Sequence, residues 1–372
     1  MEKLEFFLSS YVYPFIYIKV FLGFALSFAI TYFTIPMILK ISFQKNLMDE
    51  PIQRSSHKRK IPNLGGVAIF YAIALVAPIL SYQLFENYKF LFPSLVILLF
   101  IGVYDDIMVM RAYKKLIAQI VVASLMVLGS DVRIRSFFGL FGVYELSYWF
   151  SVLFSIFTFI IIINAINLTD GIDGLAAGFG FLSVLFFSIS YFRLGIYNFP
   201  LVVLGTIIMG TLGAYLVYNL SNNQAKKTFM GDTGSLLLGF LISFVSICFI
   251  DIFIDRPNMG IPQYHLMSAP VIAVAIISLP LVDTFNVIVV RMLNKQPLFQ
   301  PDKRHIHHKV LSLGYSHKKA TIIILGFYIS MVVVAYLLRH ININLLLLIL
   351  LCLGLFYAYI PDFIKKINNE NK

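Results

Sequence analysis

Windows of about 20 apolar residues recur along the whole chain, each long enough to cross a bilayer. Eleven can be placed, near residues 15–39, 64–82, 90–104, 116–130, 148–166, 174–192, 199–218, 234–252, 268–290, 320–338 and 342–360. The gaps between them reach only about 25 residues, so no soluble domain is left over. The composition agrees, with 59% apolar and only 13% charged residues. The chain therefore reads as all-α, a polytopic integral membrane protein of about 11 transmembrane helices forming one domain over 1–372. The first window lacks a basic leader and a small-residue cleavage site, so it reads as a retained span rather than a signal peptide.

Lysine and arginine set the orientation, because cytoplasmic loops carry their excess. With the N-terminus outside, 21 of the 29 fall on inner segments. The net charge of +11 is then mostly an orientation signal. A nucleic-acid partner would need a soluble basic face with aromatics, and the chain offers none. Cys248 and Cys352 lie inside apolar spans and suggest neither a disulfide framework nor a metal knuckle.

Against this apolar background the polar clusters stand out. NAINLTDGIDGLAAG, residues 164–178, closes an apolar run with Asn164 and Asn167, Asp170 and Asp173, and three glycines. Charge inside a membrane is costly, so such a cluster belongs at a membrane face or in a wet cavity and marks a functional site. Helix capping would explain one carboxylate but not the pair of amides. Span three ends in Asp105-Asp106, with Lys115 close behind. Two adjacent carboxylates repel unless a cation sits between them. Gly231-Asp232-Thr233-Gly234 opens span eight, where Asp232 can cap the helix or hold a divalent cation against a phosphate, since hard cations take oxygen ligands. Phe229, just before it, can pack as core or offer a flat face to a base.

Two basic loops complete the set. His57 to Lys60 precede Pro62 and Gly65-Gly66, a pattern that fits an anion-binding loop at a helix start as well as a positive-inside anchor. The loop at 291–314 holds Asp302, Lys303, Arg304, His305, His307 and His308. His-x-His-His within four residues rarely wraps a tetrahedral ion unaided, so phosphate recognition is favoured over zinc. By contrast the loop near 131–147 is outer and without pattern, a connection with an interfacial aromatic belt at Tyr144, Tyr148 and Trp149.

The inner clusters, near 44–63, 105–115, 164–174, 219–234 and 291–319, share the cytoplasmic face under one topology. Spans two, four, six and eight start there and point positive dipole ends into it. Asp105, Asp106, Asp170, Asp173 and Asp232 bring up to five negative charges, to be offset by Lys60, Lys115, Arg304 and a divalent metal. That balance suits a metal–diphosphate substrate at a membrane surface. Phosphoryl transfer is mostly positioning and charge neutralisation, within reach of such a site.

The motifs DD at 105–106, NAINLTDGIDGLAAG at 164–178, FMGDTGSLLLG at 229–239 and PDKRHIHH at 301–308 together resemble the polyprenyl-phosphate N-acetylhexosamine-1-phosphate transferase superfamily. The first-loop pattern HKRKIPNLGG is similar too. The D-x-R-H-I-H-H form resembles the WecA/TagO-like branch, which starts enterobacterial-type polysaccharides, O-antigen or wall teichoic acid. The peptidoglycan branch typically shows three consecutive histidines, and here Ile306 interrupts them.

The resemblance implies transfer of N-acetylhexosamine-1-phosphate, with N-acetylglucosamine as the expected sugar, from a UDP-N-acetylhexosamine to undecaprenyl phosphate, with release of UMP. It implies Mg²⁺, with Mn²⁺ as a substitute, held by Asp232 and Asn167. It gives Phe229 to stacking on uracil and Asp173 to the edge of the base. Asp105 and Asp106 would order the lipid phosphate or the metal, with Asp170 beside them. Lys115, Arg304, His305, His307 and His308 would hold phosphates, with Lys60 and Asp302 at the substrate. The setting implied is the bacterial inner (cytoplasmic) membrane, with the C-terminus and site cytoplasmic and a homodimer compatible with the resemblance. The rival class is a transporter, but transporters bind near the midplane, often between inverted repeats. Here the carboxylates sit at one face and no repeat is evident.

Overall fold

The structure, a computed structural model, describes residues 13–48, 61–254, 266–296 and 304–370. Its helices in chain order are α1 (Tyr13–Lys45), α2 (Gly65–Leu80), α3 (Tyr82–Asn87), α4 (Leu91–Ile107) and α5 (Ala112–Ser124), which runs into a π turn (Leu125–Gly129). After a hairpin of β1 (Ser136–Leu140) and β2 (Val143–Glu145) come α6 (Tyr148–Thr169), α7 (Leu175–Arg193), α8 (Phe199–Asn219) and α9 (Gly231–Asp251). The last are α10 (Ala269–Ile276), α11 (Ser278–Leu293), α12 (Ile306–Leu311), α13 (His317–Leu337) and α14 (Ile343–Glu370).

A helix occupies each of the eleven apolar windows, as expected for an all-α polytopic chain. The count of eleven full spans is not confirmed. Among the described residues eight helices are long and apolar enough to cross a membrane, or nine if the pair α10–α11, bent by 80°, counts as one broken span. At 16 and 17 residues, α2 and α4 fall short of the roughly 20 that a bilayer asks for. The bend in the ninth has a local cause. Pro280 has no N–H to give the carbonyl four residues back, which breaks the ladder at Ile276. The Tyr328 hydroxyl donates to that carbonyl instead, at 2.8 Å.

The loop near 131–147 also departs from expectation, because it forms a short antiparallel hairpin pairing Ser136 with Glu145 and Leu140 with Val143. Ser155 Oγ accepts from the Ile134 N–H and the Ser151 hydroxyl donates to the Ile134 carbonyl, which fastens the hairpin's approach to α6. Arg135 pairs with Asp251, and the Arg133 guanidinium lies 4.9 Å from the Tyr148 ring centre. Tyr144, Tyr148 and Trp149 are exposed, as a belt residue should be.

The described chain divides into two compact units. One comprises residues 13–48, 61–131 and 180–237. Its core is α1 laid against α8, with α2 packed on both. Small residues allow the close approach, as in membrane helix pairs generally: a Cβ on Gly210 would meet Ser27 Oγ at 2.1 Å. The Tyr218 hydroxyl donates across the pair to the Tyr32 carbonyl at 2.8 Å. The other unit comprises the described residues of 132–179 and 238–372, with α6 against α11 and with α10, α12, α13 and α14 gathered around one another. The apolar window of α9 is buried throughout, whereas α1 and α14 leave most of theirs exposed. Exposed apolar surface on that scale is what a lipid-facing helix presents.

Candidate active site

In the first unit the polar residues converge where α4 ends and α9 begins. Glycines bring the two together. A Cβ on Gly102 of α4 would lie 2.3 Å from Thr233 Cα, so only hydrogen fits. Gly231 has φ +69°, and its Cβ would collide with the Asn63 carbonyl and the Asp106 carboxylate. The segment before α9 is tied down like a strand: Phe229 N–H donates to the Pro62 carbonyl at 2.8 Å, Gly65 N–H to Phe229 O at 3.0 Å and Gly66 N–H to Met230 O at 2.9 Å.

The two adjacent aspartates then do different work. Asp106 accepts from the Asp232 N–H (2.7 Å), the Thr233 N–H (3.0 Å) and the Thr233 hydroxyl (2.6 Å). It caps α9 from another helix, its charge set against the positive dipole end. Asn63 Nδ2 donates to the Asp106 carbonyl at 3.2 Å. Asp105 accepts from the Met110 N–H at 2.6 Å, which shapes the turn into α5, and pairs with Lys115 Nζ at 2.5 Å. The same ammonium reaches Asp232 Oδ2 at 3.2 Å. Lys115 thus sits between Asp105 and Asp232, not between the adjacent aspartates, while Asp106 is satisfied by the start of α9. The Asp105 side chain is 5% exposed and that of Asp232 28%, so the cluster opens on the Asp232 side. Phe229 is half-buried next door, with the Lys227 ammonium 5.8 Å from its ring centre.

In the second unit α6 ends at Thr169 and a tight turn leads into α7. Asn167, Asp170 and Asp173 are partly exposed at this turn. Asn164 is exposed, and its amide donates back to the Ile160 carbonyl of its own helix at 2.7 Å. The Asp173 carbonyl accepts from the Thr321 hydroxyl at 2.8 Å, and its carboxylate lies 3.5 Å from His317 Nδ1. A Cβ on Gly171 would lie 2.3 Å from His307 Nε2, so the turn rests directly on that ring.

The three histidines differ in setting. His305 is buried, with Nδ1 2.9 Å from Asp283 Oδ2. His307 is buried too, and burial pushes its imidazole down from 6.5 to about 3, so it stays neutral and brings no positive charge to an anion. The His305 and His307 rings stack with centroids 5.7 Å apart at 8°. His308 and Arg304 are half-buried beside them.

Of the residues picked from the sequence, the structure brings Asp105, Asp106, Lys115, Asp232 and Phe229 into one neighbourhood, and Asp170, Asp173 and His307 into another. Lys60 and Asp302 lie outside the described residues. Nothing in the sequence pattern singles out Asn63, His317 or Thr321, whereas Thr233 stands out only as a possible cap of its own helix. Asp283 carried a signal, being a carboxylate within a span, but no partner could be named for it. Among the described residues no three His, Cys, Asp or Glu side chains form a ready-made metal cage. Mg²⁺ does not ask for one, since it keeps waters and is held by one or two carboxylates together with substrate phosphates. The oxygen donors of Asp232 and Asp105 fit that habit.

Comparison with known proteins points to one family. The model for glycosyl transferase family 4 matches residues 88–250, which hold the acidic pair, the 164–178 stretch and the start of α9. The chain is 31% identical over 364 residues, 95% of its length and 95% of the other's, to the protein of Bacillus subtilis (strain 168) named "Probable undecaprenyl-phosphate N-acetylglucosaminyl 1-phosphate transferase". It is 28% identical over 79% of its length, and 76% of the other's, to the decaprenyl-phosphate N-acetylglucosaminephosphotransferase of Mycolicibacterium smegmatis. A third relative, the undecaprenyl-phosphate alpha-N-acetylglucosaminyl 1-phosphate transferase of Yersinia pestis, is 27% identical over 77% of this chain and 75% of its own. The chain therefore belongs to glycosyl transferase family 4, in the WecA/TagO-like branch of the polyprenyl-phosphate N-acetylhexosamine-1-phosphate transferases.

Proposed function

We propose that the protein transfers N-acetylglucosamine-1-phosphate from UDP-N-acetylglucosamine to undecaprenyl phosphate at the cytoplasmic face of a bacterial membrane, releasing UMP. The observation that carries this reading is the Asp105–Lys115–Asp232 constellation at the capped start of α9. Three relatives named for N-acetylglucosaminyl phosphate transfer to a polyprenyl phosphate support the choice of sugar and acceptor.

The chemistry asks little covalent work of the protein. A phosphate monoester, with a second pKa of about 6, is mostly dianionic at neutral pH. An oxygen of the lipid phosphate attacks the sugar-linked phosphorus of the donor, the bond from that phosphorus to the bridging oxygen breaks, and UMP leaves with the electron pair. Asp232, the more exposed carboxylate, is the metal ligand, and Asn167 keeps the ligand role that the resemblance implies. When bound, Mg²⁺ would offset the charge of the diphosphate. Lys115 bridges Asp105 and Asp232, offsetting their mutual repulsion, and offers its ammonium to a phosphate oxygen. Asp106 fixes the start of α9, and with it the position of Asp232. Phe229, with Lys227 above its face, offers a stacking surface for a base. Arg304 and His308 serve as phosphate contacts and His307 as packing under the 170–174 turn.

The test is direct. Purified protein given undecaprenyl phosphate, UDP-N-acetylglucosamine and Mg²⁺ should release UMP and form a lipid-linked diphosphate sugar. Release should stop with EDTA and return with Mg²⁺ or Mn²⁺. No release with any UDP-N-acetylhexosamine would overturn the reading.

A further inference from the structure

Asp283 belongs to none of the motifs that carry the family resemblance, yet it is one of the few buried carboxylates in the described chain. It lies on α11, three residues after the proline that bends the ninth span, and is 5% exposed. Its two oxygens are spent on one short segment. Oδ2 accepts from His305 Nδ1 at 2.9 Å, and Oδ1 accepts from the Ile306 N–H, the first of α12, at 2.7 Å. We infer that Asp283 is a positioning residue for the transfer: it fixes the ring and tautomer of His305 and thereby leaves Nε2, with its lone pair, as the one atom of that imidazole that can accept the remaining proton of a lipid phosphate, which becomes the dianion that attacks. This inference rests on the transferase reading above.

The geometry leaves the ring little choice. A carboxylate only accepts, so the nitrogen facing it carries the proton. In the neutral ring that proton is on Nδ1, and the lone pair is on Nε2. The second bond, to the Ile306 N–H, sets where α12 starts and so fixes the backbone that carries His305. The ring is also held on one face by the parallel His307 ring, which is itself pinned against Gly171. Asp283, His305, His307 and Gly171 thus form a file from the bent span to the 170–174 turn. A carboxylate that only capped a six-residue helix would not need to reach the histidine as well.

The test is a double-mutant cycle read as UMP release, with KM for UDP-N-acetylglucosamine and thermal midpoint in detergent measured on each variant. Asp283→Asn should lower kcat at least 100-fold while KM moves less than threefold, because the amide can turn an N–H toward Nδ1 and reverse the tautomer. His305→Gln should fall by a similar factor, and the double variant should be no slower than His305→Gln alone, since coupled groups are not additive. Multiplying losses, or Asp283→Asn at more than half of wild-type kcat, would overturn the positioning role. If Asp283→Asn does not fold, His305→Asn decides: it keeps a donor where Nδ1 was and lacks Nε2. It should keep its thermal midpoint and lose at least 100-fold in kcat, and full activity would overturn the inference. A wild type that releases no UMP instead overturns the transferase reading, which separates the two failures.

Discussion

At the residue scale, the environment of each ionisable group decides its work more than its identity does. Asp105 and Asp106 are neighbours in sequence, yet one pairs with an ammonium and the other caps a helix. His305 and His307 are two apart, yet one faces a carboxylate and the other is buried against a glycine. The second contrast has a measurable consequence. In the folded protein His307 is held near 3, while the unfolded imidazole titrates near its ordinary 6.5. Between these values the unfolded chain binds the extra proton, so stability rises with pH across the window and is complete above it. Stability should therefore fall as the pH drops below 6.5. Thermal midpoints in detergent at pH 5.0 and 7.5 should differ for the wild type and differ less for His307→Gln. Equal pH dependence in the two would show that His307 is not the group responsible.

At the element scale, α9 is the helix that the first cluster depends on, and glycines set its start. Replacing Gly102 by alanine puts a methyl against Thr233 Cα, which is backbone and cannot turn aside. Overpacking of this kind typically costs about 1–3 kcal/mol. Gly102→Ala should lower the thermal midpoint by several degrees and reduce UMP release at least tenfold, because pushing α4 off α9 separates Asp106 from the helix start that carries Asp232. A variant with wild-type midpoint and rate would show that the contact is not needed. This scale also shows what the sequence makes legible. The apolar windows mark every long helix, because a bilayer allows little else. The acidic pair, the 164–178 stretch and Asp232 stand out because charge is rare among apolar spans. The cap on α9 does not show, because its carboxylate comes from 126 residues away. The hairpin at 136–145 does not show either: Phe138 and Phe141 adopt positive φ, which their side chains disfavour. Nor does the break at Ile276 show, and only the fold reveals the Tyr328 hydroxyl as the donor to the carbonyl left free there.

At the scale of the whole molecule, the account has a sidedness. We propose, from the positive-inside bias, that the hairpin lies outside and the 221–235 loop in the cytoplasm. Phe141 is 74% exposed at the hairpin tip and Lys226 is exposed in the loop, so both sites accept a probe. With Cys248 and Cys352 replaced by serine, a membrane-impermeant maleimide added to intact spheroplasts should label Phe141→Cys and spare Lys226→Cys. The opposite pattern would invert the topology and put the acidic cluster on the wrong face for a nucleotide-sugar. The central claim is that Asp232 holds the metal that makes the diphosphate reactive, and a Mg²⁺ titration of UMP release by wild type and Asp232→Asn tests it most directly. The wild type should saturate with Mg²⁺, and the variant, folded to the same thermal midpoint within a few degrees, should stay at least 1,000-fold slower across the titration, as about 4 kcal/mol of lost transition-state stabilisation requires. A variant that comes within tenfold of the wild type at saturating Mg²⁺ would contradict the account.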